Sequence, residues 1–200
     1  MKNKGLLIVC EGLDCSGKTT AIEEIVNSDE KFVYSKGIGS KSFVGRTALK
    51  YPSTFMFFTE LVYNNYRHIK PSLSKNKIVL QDRYDISITS FVPLVNQWYN
   101  QLFTKFFTPF ITKPDAIVYF YLPINERIKR LKQKATPYEM SLAENPNLII
   151  IREKEYEKWY QEFSGPKIRI NTQENSIRET SKTLRRFVHD QYSNASFNSI

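Results

Sequence analysis

Eight consecutive residues carry the clearest chemistry in the chain: Gly12-Leu13-Asp14-Cys15-Ser16-Gly17-Lys18-Thr19 fits the pattern G-x-x-x-x-G-K-[ST]. Glycines at both ends let a backbone curl until successive amides point inward at phosphate oxygens. A helix opening near Gly17 would add the positive end of its dipole to the same spot. Lys18 would then reach the outer phosphates, and the hydroxyl of Thr19 would face magnesium. A second group follows at Asp82-Arg83-Tyr84. An acid there can hold magnesium directly or through water, and the arginine can grip a second phosphate with its planar fork.

These groups work together only if the fold brings them to one place. Gly5–Glu11 is an apolar run of the kind buried on both faces of a parallel sheet, and the loop follows it directly. Further strands are expected over Lys31–Ser35, Lys77–Gln81, Asp115–Leu122 and Lys167–Asn171. Helices are expected over Ser16–Asn27, Phe43–Lys50, Thr54–Lys70, Ile86–Phe107 with a kink at Pro93, Asn125–Gln133, Leu148–Phe163 and Glu174–Gln191. Alternation of strand and helix implies right-handed crossovers and a parallel α/β sheet. In such sheets the ligand sits beyond the carboxyl ends of the strands, which gathers residues 11–19, 36–40 and 82–84 around one crevice.

Composition narrows the class. The chain has 200 residues, 41% hydrophobic and 24% charged, enough for one domain with a full core. No apolar run approaches the roughly 20 residues of a membrane span. The start, Met-Lys-Asn-Lys-Gly, leads into a strand without a cleavage site, and Cys10 and Cys15 are too few for a disulfide scaffold, so the cytoplasm is the expected compartment. The net charge of +9 favours anionic partners, and the basic residues are scattered rather than gathered in a tail, which argues for small nucleotides over nucleic acid. A nucleotide-switch GTPase would need Asn-Lys-x-Asp; Asn76-Lys77 continues as Ile78-Val79. His68 and His189 have no metal-ligand company, and Trp98 and Trp159 read as packing residues.

Val9-Cys10-Glu11-Gly12-Leu13-Asp14 running into the loop, Asp82-Arg83-Tyr84, Lys113-Pro114-Asp115, and Arg127 with Arg130 together resemble the thymidylate kinase family of nucleoside monophosphate kinases. The resemblance implies a P-loop NTPase-type three-layer sandwich, a five-stranded parallel sheet flanked by helices. The chain reads as one domain over 1–200 whose polar tail, about 192–200, is expected to fray, and the resemblance adds a short lid at about 134–147. The implied reaction moves the γ-phosphoryl group of magnesium-ATP to a deoxynucleoside monophosphate, dTMP before others, in a homodimer. By resemblance, Gly12, Leu13, Asp14, Cys15, Ser16, Gly17, Lys18, Thr19 and Thr20 hold ATP. Asp14, Lys36, Phe57, Arg83 and Phe91 receive the acceptor, Thr19 and Asp82 serve Mg2+, and Lys18, Arg83, Arg127 and Arg130 are catalytic. Arg127 and Arg130, three apart, can face the crevice from one side of a helix. Phe57 fits two readings, a base-stacking ring or a core aromatic.

Two departures stand out. The family has Asp-Arg three residues after the stacking phenylalanine, the arginine touching thymine; here the pair is Glu60-Leu61, and a second base-reading position is Ile88. On that alignment Leu61→Arg should improve use of thymidylate. The family also carries an arginine in the phosphate loop or the lid; here the loop position is Cys15, and residues 134–147 contain no arginine, although Arg152 stands just after them. A deoxynucleoside kinase, with Glu11 as base, and a catalytically weak nucleotide-binding protein are the alternatives.

Overall fold

The computed structural model of the chain describes residues 5–91 and 98–197. Five strands, β1 (Leu6–Glu11), β2 (Phe32–Lys36), β3 (Ile78–Asp82), β4 (Ala116–Tyr121) and β5 (Lys167–Asn171), form one sheet in the order β2-β3-β1-β4-β5, every pair parallel. The chain leaves β1 to build β2 and β3 on one side and then crosses to build β4 and β5 on the other. This reversal makes the carboxyl end of β1, flanked by β3 and β4, the place where a crevice must open.

All six residues of β1 are buried, as expected of a central strand covered on both faces. Leu6, Ile8 and Cys10 face α1 (Lys18–Val26) and α10 (Ile177–Phe197) through Ile22, Ile25, Leu184 and Val188. Leu7 and Val9 face the opposite layer, where Phe58 and Leu61 of α3 (Thr54–Asn64) and Phe107 of α6 (Trp98–Phe107) close the core. A third cluster joins Leu13 of the loop to Tyr119, to Leu131 of α7 (Ile124–Lys134), to Leu142 of α8 (Pro137–Glu144) and to Ile149 and Tyr156 of α9 (Pro146–Glu162).

Local chemistry sets several helix starts. Ser42 caps α2 (Phe43–Lys50) by accepting from the Gly45 amide, Ser53 caps α3 through Met56, and Thr136 caps α8 through Glu139 with Pro137 behind it. Three expectations need correction. The helix expected over Thr54–Lys70 is α3 followed by a π-helical turn, Asn65–Ile69, and the chain stays helical past Pro71 in α4 (Lys70–Ser74). Pro71 is tolerated because it sits in the first turn of α4, where its missing N–H costs little. The helix expected over Ile86–Phe107 is two elements, α5 (Asp85–Thr89) and α6; the kink expected at Pro93 lies outside the described residues. The tail expected to fray from Tyr192 continues α10 to Phe197. Within the lid segment, where the sequence pattern marks no element, lies the capped helix α8, with Leu142 and Ala143 buried against the rest of the molecule.

Candidate active site

The loop between β1 and α1 is shaped by positions that only certain backbones tolerate. Gly12 has φ 156°, and a Cβ there would meet the Phe120 carbonyl oxygen at 2.4 Å. Cys15 and Gly17 are both left-handed, at φ 61° and 75°, so the chain winds around a small concavity before entering α1. No side chain caps α1, which leaves its first amides free to face that concavity. Lys18 is 5% exposed and has no hydrogen-bond or ion-pair partner among the described residues. Burial, then the charge of Arg83, push its ammonium down to about 8, against Asp82, Asp14 and Glu11. Ser16 is buried beside it with a hydroxyl that has no partner. Thr20 lies exposed on α1.

From the β3 side, Asp82 ends its strand in register with Cys10 of β1. Its Oδ2 accepts from the Thr19 hydroxyl at 2.6 Å and from the Tyr34 hydroxyl at 3.1 Å, while Oδ1 is buried without a partner. One orphaned carboxylate oxygen beside a threonine hydroxyl fits a hard divalent cation that takes most of its ligands from phosphate and water. No group of three His, Cys, Asp or Glu able to cage a metal occurs among the described residues. The next residue, Arg83, is left-handed at φ 69°, a costly conformation outside glycine. Bonds on both sides hold it there: its amide donates to the Cys10 carbonyl at 3.2 Å, and its carbonyl accepts from the Gln81 amide nitrogen at 2.9 Å. The strained turn aims the guanidinium across the crevice, where Nη2 lies 2.5 Å from Oδ1 of Asp14.

Asp14 is thereby gripped from two sides, because Arg152 Nη1 lies 3.5 Å from its Oδ2. Burial would raise the Asp14 carboxyl, but Arg83, Lys18 and Arg152 outweigh it and hold it well below the usual carboxylate range. Behind the loop, Glu11 is fully buried and accepts from the Tyr84 amide, the Ser87 hydroxyl at 2.8 Å and the Tyr156 hydroxyl at 3.3 Å. Burial raises its carboxyl, with Arg83 and the Tyr84 amide opposing. With its oxygens spent on this frame, Glu11 is a brace for the Asp82–Tyr84 turn rather than a free base.

The basic pair on α7 separates. Arg127 is 1% exposed and donates to the Asp14 carbonyl at 3.0 Å and the Leu122 carbonyl at 2.7 Å, clamping the back of the loop. Arg130 turns to the Thr172 carbonyl at 3.0 Å, past the end of β5, and to Glu126. Helical spacing put both on one side, but the two guanidiniums serve different loops. Lys36, exposed at the end of β2, lines a cleft of about 520 Å³ with Thr19, Tyr34, Ser40, Asn64 and His68.

The base-reading expectations fare differently. Phe57 is half-buried against the α3-side core, whereas Phe58 is the fully buried ring, stacked on Phe107 at 5.5 Å. Leu61 and Ile88, 0% and 3% exposed, are core residues and do not border the crevice. Glu60 is also buried, but its carboxylate accepts from the amides of Gly39 at 3.1 Å and Ser40 at 2.7 Å. Asn64 donates to the Lys36 carbonyl at 2.8 Å. The polar face of α3 therefore shapes the loop after β2. The expectation that an arginine at 61 would meet the acceptor base is corrected: that position points into the sheet packing. Phe91 is half-buried, and one face of its ring is covered by the Arg152 guanidinium, 3.7 Å from the centroid.

Sequence reasoning left out Arg152 as a site residue, along with the Glu11–Ser87–Tyr156 brace and Tyr34. Nothing in the spacing of the basic residues between 127 and 154 marks which of them folds inward. Pattern does identify the phosphate loop, because its glycines answer to a local backbone need.

A family model for thymidylate kinase matches residues 45–184 of this chain. A probable thymidylate kinase of Thermococcus gammatolerans is 22% identical, over 90% of this chain and 94% of that protein. A thymidylate kinase of Mycoplasmoides gallisepticum is 25% identical, over 66% of this chain and 71% of its own length. Among solved structures, thymidylate kinase from Candida albicans superimposes with a TM-score of 0.72 at 16% identity, covering 96% of this chain and 95% of that one. Thymidylate kinase from Ehrlichia chaffeensis does so at 0.68 and 15% identity, covering 93% and 99%. The match begins beyond the phosphate loop, so the loop at 12–19 and the family model at 45–184 are separate lines of argument, and they converge: the chain belongs to the thymidylate kinase family.

Proposed function

We propose that this chain is an ATP-dependent thymidylate kinase that moves the γ-phosphoryl group of ATP to dTMP, giving dTDP and ADP. The observation that carries the reading is the contact of Arg83 with Asp14, which places an acceptor-side guanidinium against the loop that holds Lys18. Two anions bound on either side of that contact are aligned for in-line exchange, with no protein nucleophile needed.

In this reading, residues 12–20 cradle the ATP phosphates through backbone amides, and Lys18 draws charge off the moving group. Arg127 keeps the loop in shape from behind, and Arg83 grips the acceptor phosphate. Thr19 and Asp82 would hold Mg2+, which would supply positive charge against the negative charge that develops during transfer. Phe57 and Lys36 border the acceptor side, and Arg130 sets the β5 end of the donor side. The engaged state of Glu11 argues against the deoxynucleoside kinase alternative, which needs a free carboxylate beside a sugar hydroxyl. Phe106, Leu102 and Phe110, 62%, 52% and 43% exposed around α6, support a homodimer, and the free thiols Cys10 and Cys15 support a reducing cytoplasm. No helix among the described residues is long and apolar enough to cross a membrane.

The test is a coupled ADP-release assay of the full chain across the common ribo- and deoxynucleoside monophosphates and their nucleosides. Turnover with dTMP above the other acceptors is expected. Turnover with nucleosides and none with monophosphates would overturn the proposal. The panel has to be wide because Leu61 and Ile88, the two positions aligned with base-reading residues, are buried apolar side chains, and the Candida albicans enzyme is one of broad substrate specificity.

A further inference from the structure

The transferred group needs converging positive charge, yet residues 134–147 contain no arginine. The structure supplies a guanidinium from another element. We propose that Arg152, on α9 beyond the lid, is a catalytic residue that binds the acceptor phosphate together with Arg83. The inference rests on the kinase reading above and deepens it.

Arg152 is 2% exposed, so its charge sits out of water. A guanidinium offers five N–H donors. Here Nε meets the Ser90 hydroxyl at 3.3 Å and Nη1 meets Asp14 at 3.5 Å, both long contacts, and Nη2 is buried with no partner. The ring of Phe91 covers one face of the plane at 3.7 Å and fixes its tilt. Two guanidiniums, Arg83 and Arg152, thus share the single carboxylate of Asp14, one on each oxygen. That leaves Nη2 of Arg152 as a buried donor without a partner, next to the Arg83 fork, and a phosphate dianion with three acceptor oxygens would satisfy it. It also gives Phe91 a task besides receiving the acceptor: it is the platform that orients Arg152.

A purely structural arginine that only holds Asp14 would predict equal losses for acceptors with and without a phosphate. The experiment therefore compares the binding of dTMP and thymidine by calorimetry, with steady-state kinetics, for the wild type, Arg152→Lys and Arg152→Ala. The expected result is a dTMP affinity lower by about 10- to 100-fold in Arg152→Ala, with thymidine binding unchanged within about twofold. Arg152→Lys should fall between, because a point charge lacks the fork, and added guanidinium should restore turnover to Arg152→Ala. Equal losses for dTMP and thymidine, or no loss for either, overturn the role of Arg152. Should Arg152→Ala fail to fold, Arg152→Lys decides by the same dTMP-to-thymidine comparison. A wild-type protein that phosphorylates no monophosphate instead overturns the kinase reading, and this inference with it.

Discussion

Replacing Leu61 with arginine separates a reading based on alignment from one based on packing. By sequence alignment with the family, Leu61→Arg restores a base-reading arginine and should improve use of dTMP. In the structure Leu61 is fully buried among Val9, Phe58, Ile69, Val79 and Ile88. Losing a fully buried leucine side chain forfeits about 1.5–3 kcal/mol. A guanidinium in its place has no carboxylate to meet, because Glu60 is already bound to the Gly39 and Ser40 amides, and an unpaired buried charge costs about 3–5 kcal/mol. The sum, about 5–8 kcal/mol, is comparable to the whole stability of an ordinary domain, about 5–15 kcal/mol. At roughly 2–4 °C per kcal/mol for a chain of this size, the melting midpoint should fall by more than about 10 °C, if the variant folds at all. Calorimetric melting of wild type, Leu61→Met and Leu61→Arg reads this directly, with Leu61→Met expected to lose less than about 1.5 kcal/mol. A Leu61→Arg protein that melts within about 2 °C of wild type and shows a lower KM for dTMP would refute the packing argument and reinstate the alignment.

Three further outcomes follow from the site. Lys18 titrates at about 8 in the free protein against about 10.4 unfolded, so the unfolded chain binds more protons across that window. Its charge therefore costs stability below about pH 8, that cost is relieved as pH rises toward 10.4, and ATP affinity should weaken above about pH 8 by up to tenfold per pH unit; a flat calorimetric Kd from pH 7 to 9.5 contradicts this. Asp82→Asn removes the orphaned oxygen beside Thr19 and should raise the Mg2+ concentration for half-maximal turnover by roughly tenfold or more, an unchanged Mg2+ curve counting against a metal role. Arg127→Met strips the clamp from the Asp14 and Leu122 carbonyls and should cost about 2–4 kcal/mol of stability with a higher KM for ATP, whereas lost turnover at unchanged stability would make Arg127 a direct participant.

The order of the elements was legible because it is written in short-range pattern. The run from Leu6 to Glu11 can only be a strand buried on both faces, and the glycines at 12 and 17 announce the loop that follows. The expected bounds of α2 and β5 are the observed ones: Pro52 stops the first by a local rule, and the second is a short strand whose pattern is local. What failed was register around the middle of the chain. A π-helical turn at Asn65–Ile69 lets the helix run through Pro71, and no composition rule foretells where one extra residue will be accommodated. Long-range pairing was equally silent: that Glu60 would serve two amides 20 and 21 residues back is decided by the fold, not by the neighbours of Glu60.

The same division explains the charges. Spacing along α7 correctly puts Arg127 and Arg130 on one side of a helix, yet a guanidinium at the end of a long, flexible stem can reach carbonyls on two different loops, and here the pair does so. Arg152 is the converse case, unremarkable in sequence among Arg127, Lys129, Arg130, Lys132, Lys134 and Lys154, and the one whose guanidinium reaches Asp14 of the phosphate loop and Ser90 after α5. Because burying an arginine without a full set of partners is costly, a fold keeps one there only if something else is gained. The strained φ of Arg83 carries the same implication from the facing strand. Two destabilising features, on different elements and meeting at one carboxylate, are the physical signature that separates this crevice from an ordinary gap at the end of a parallel sheet.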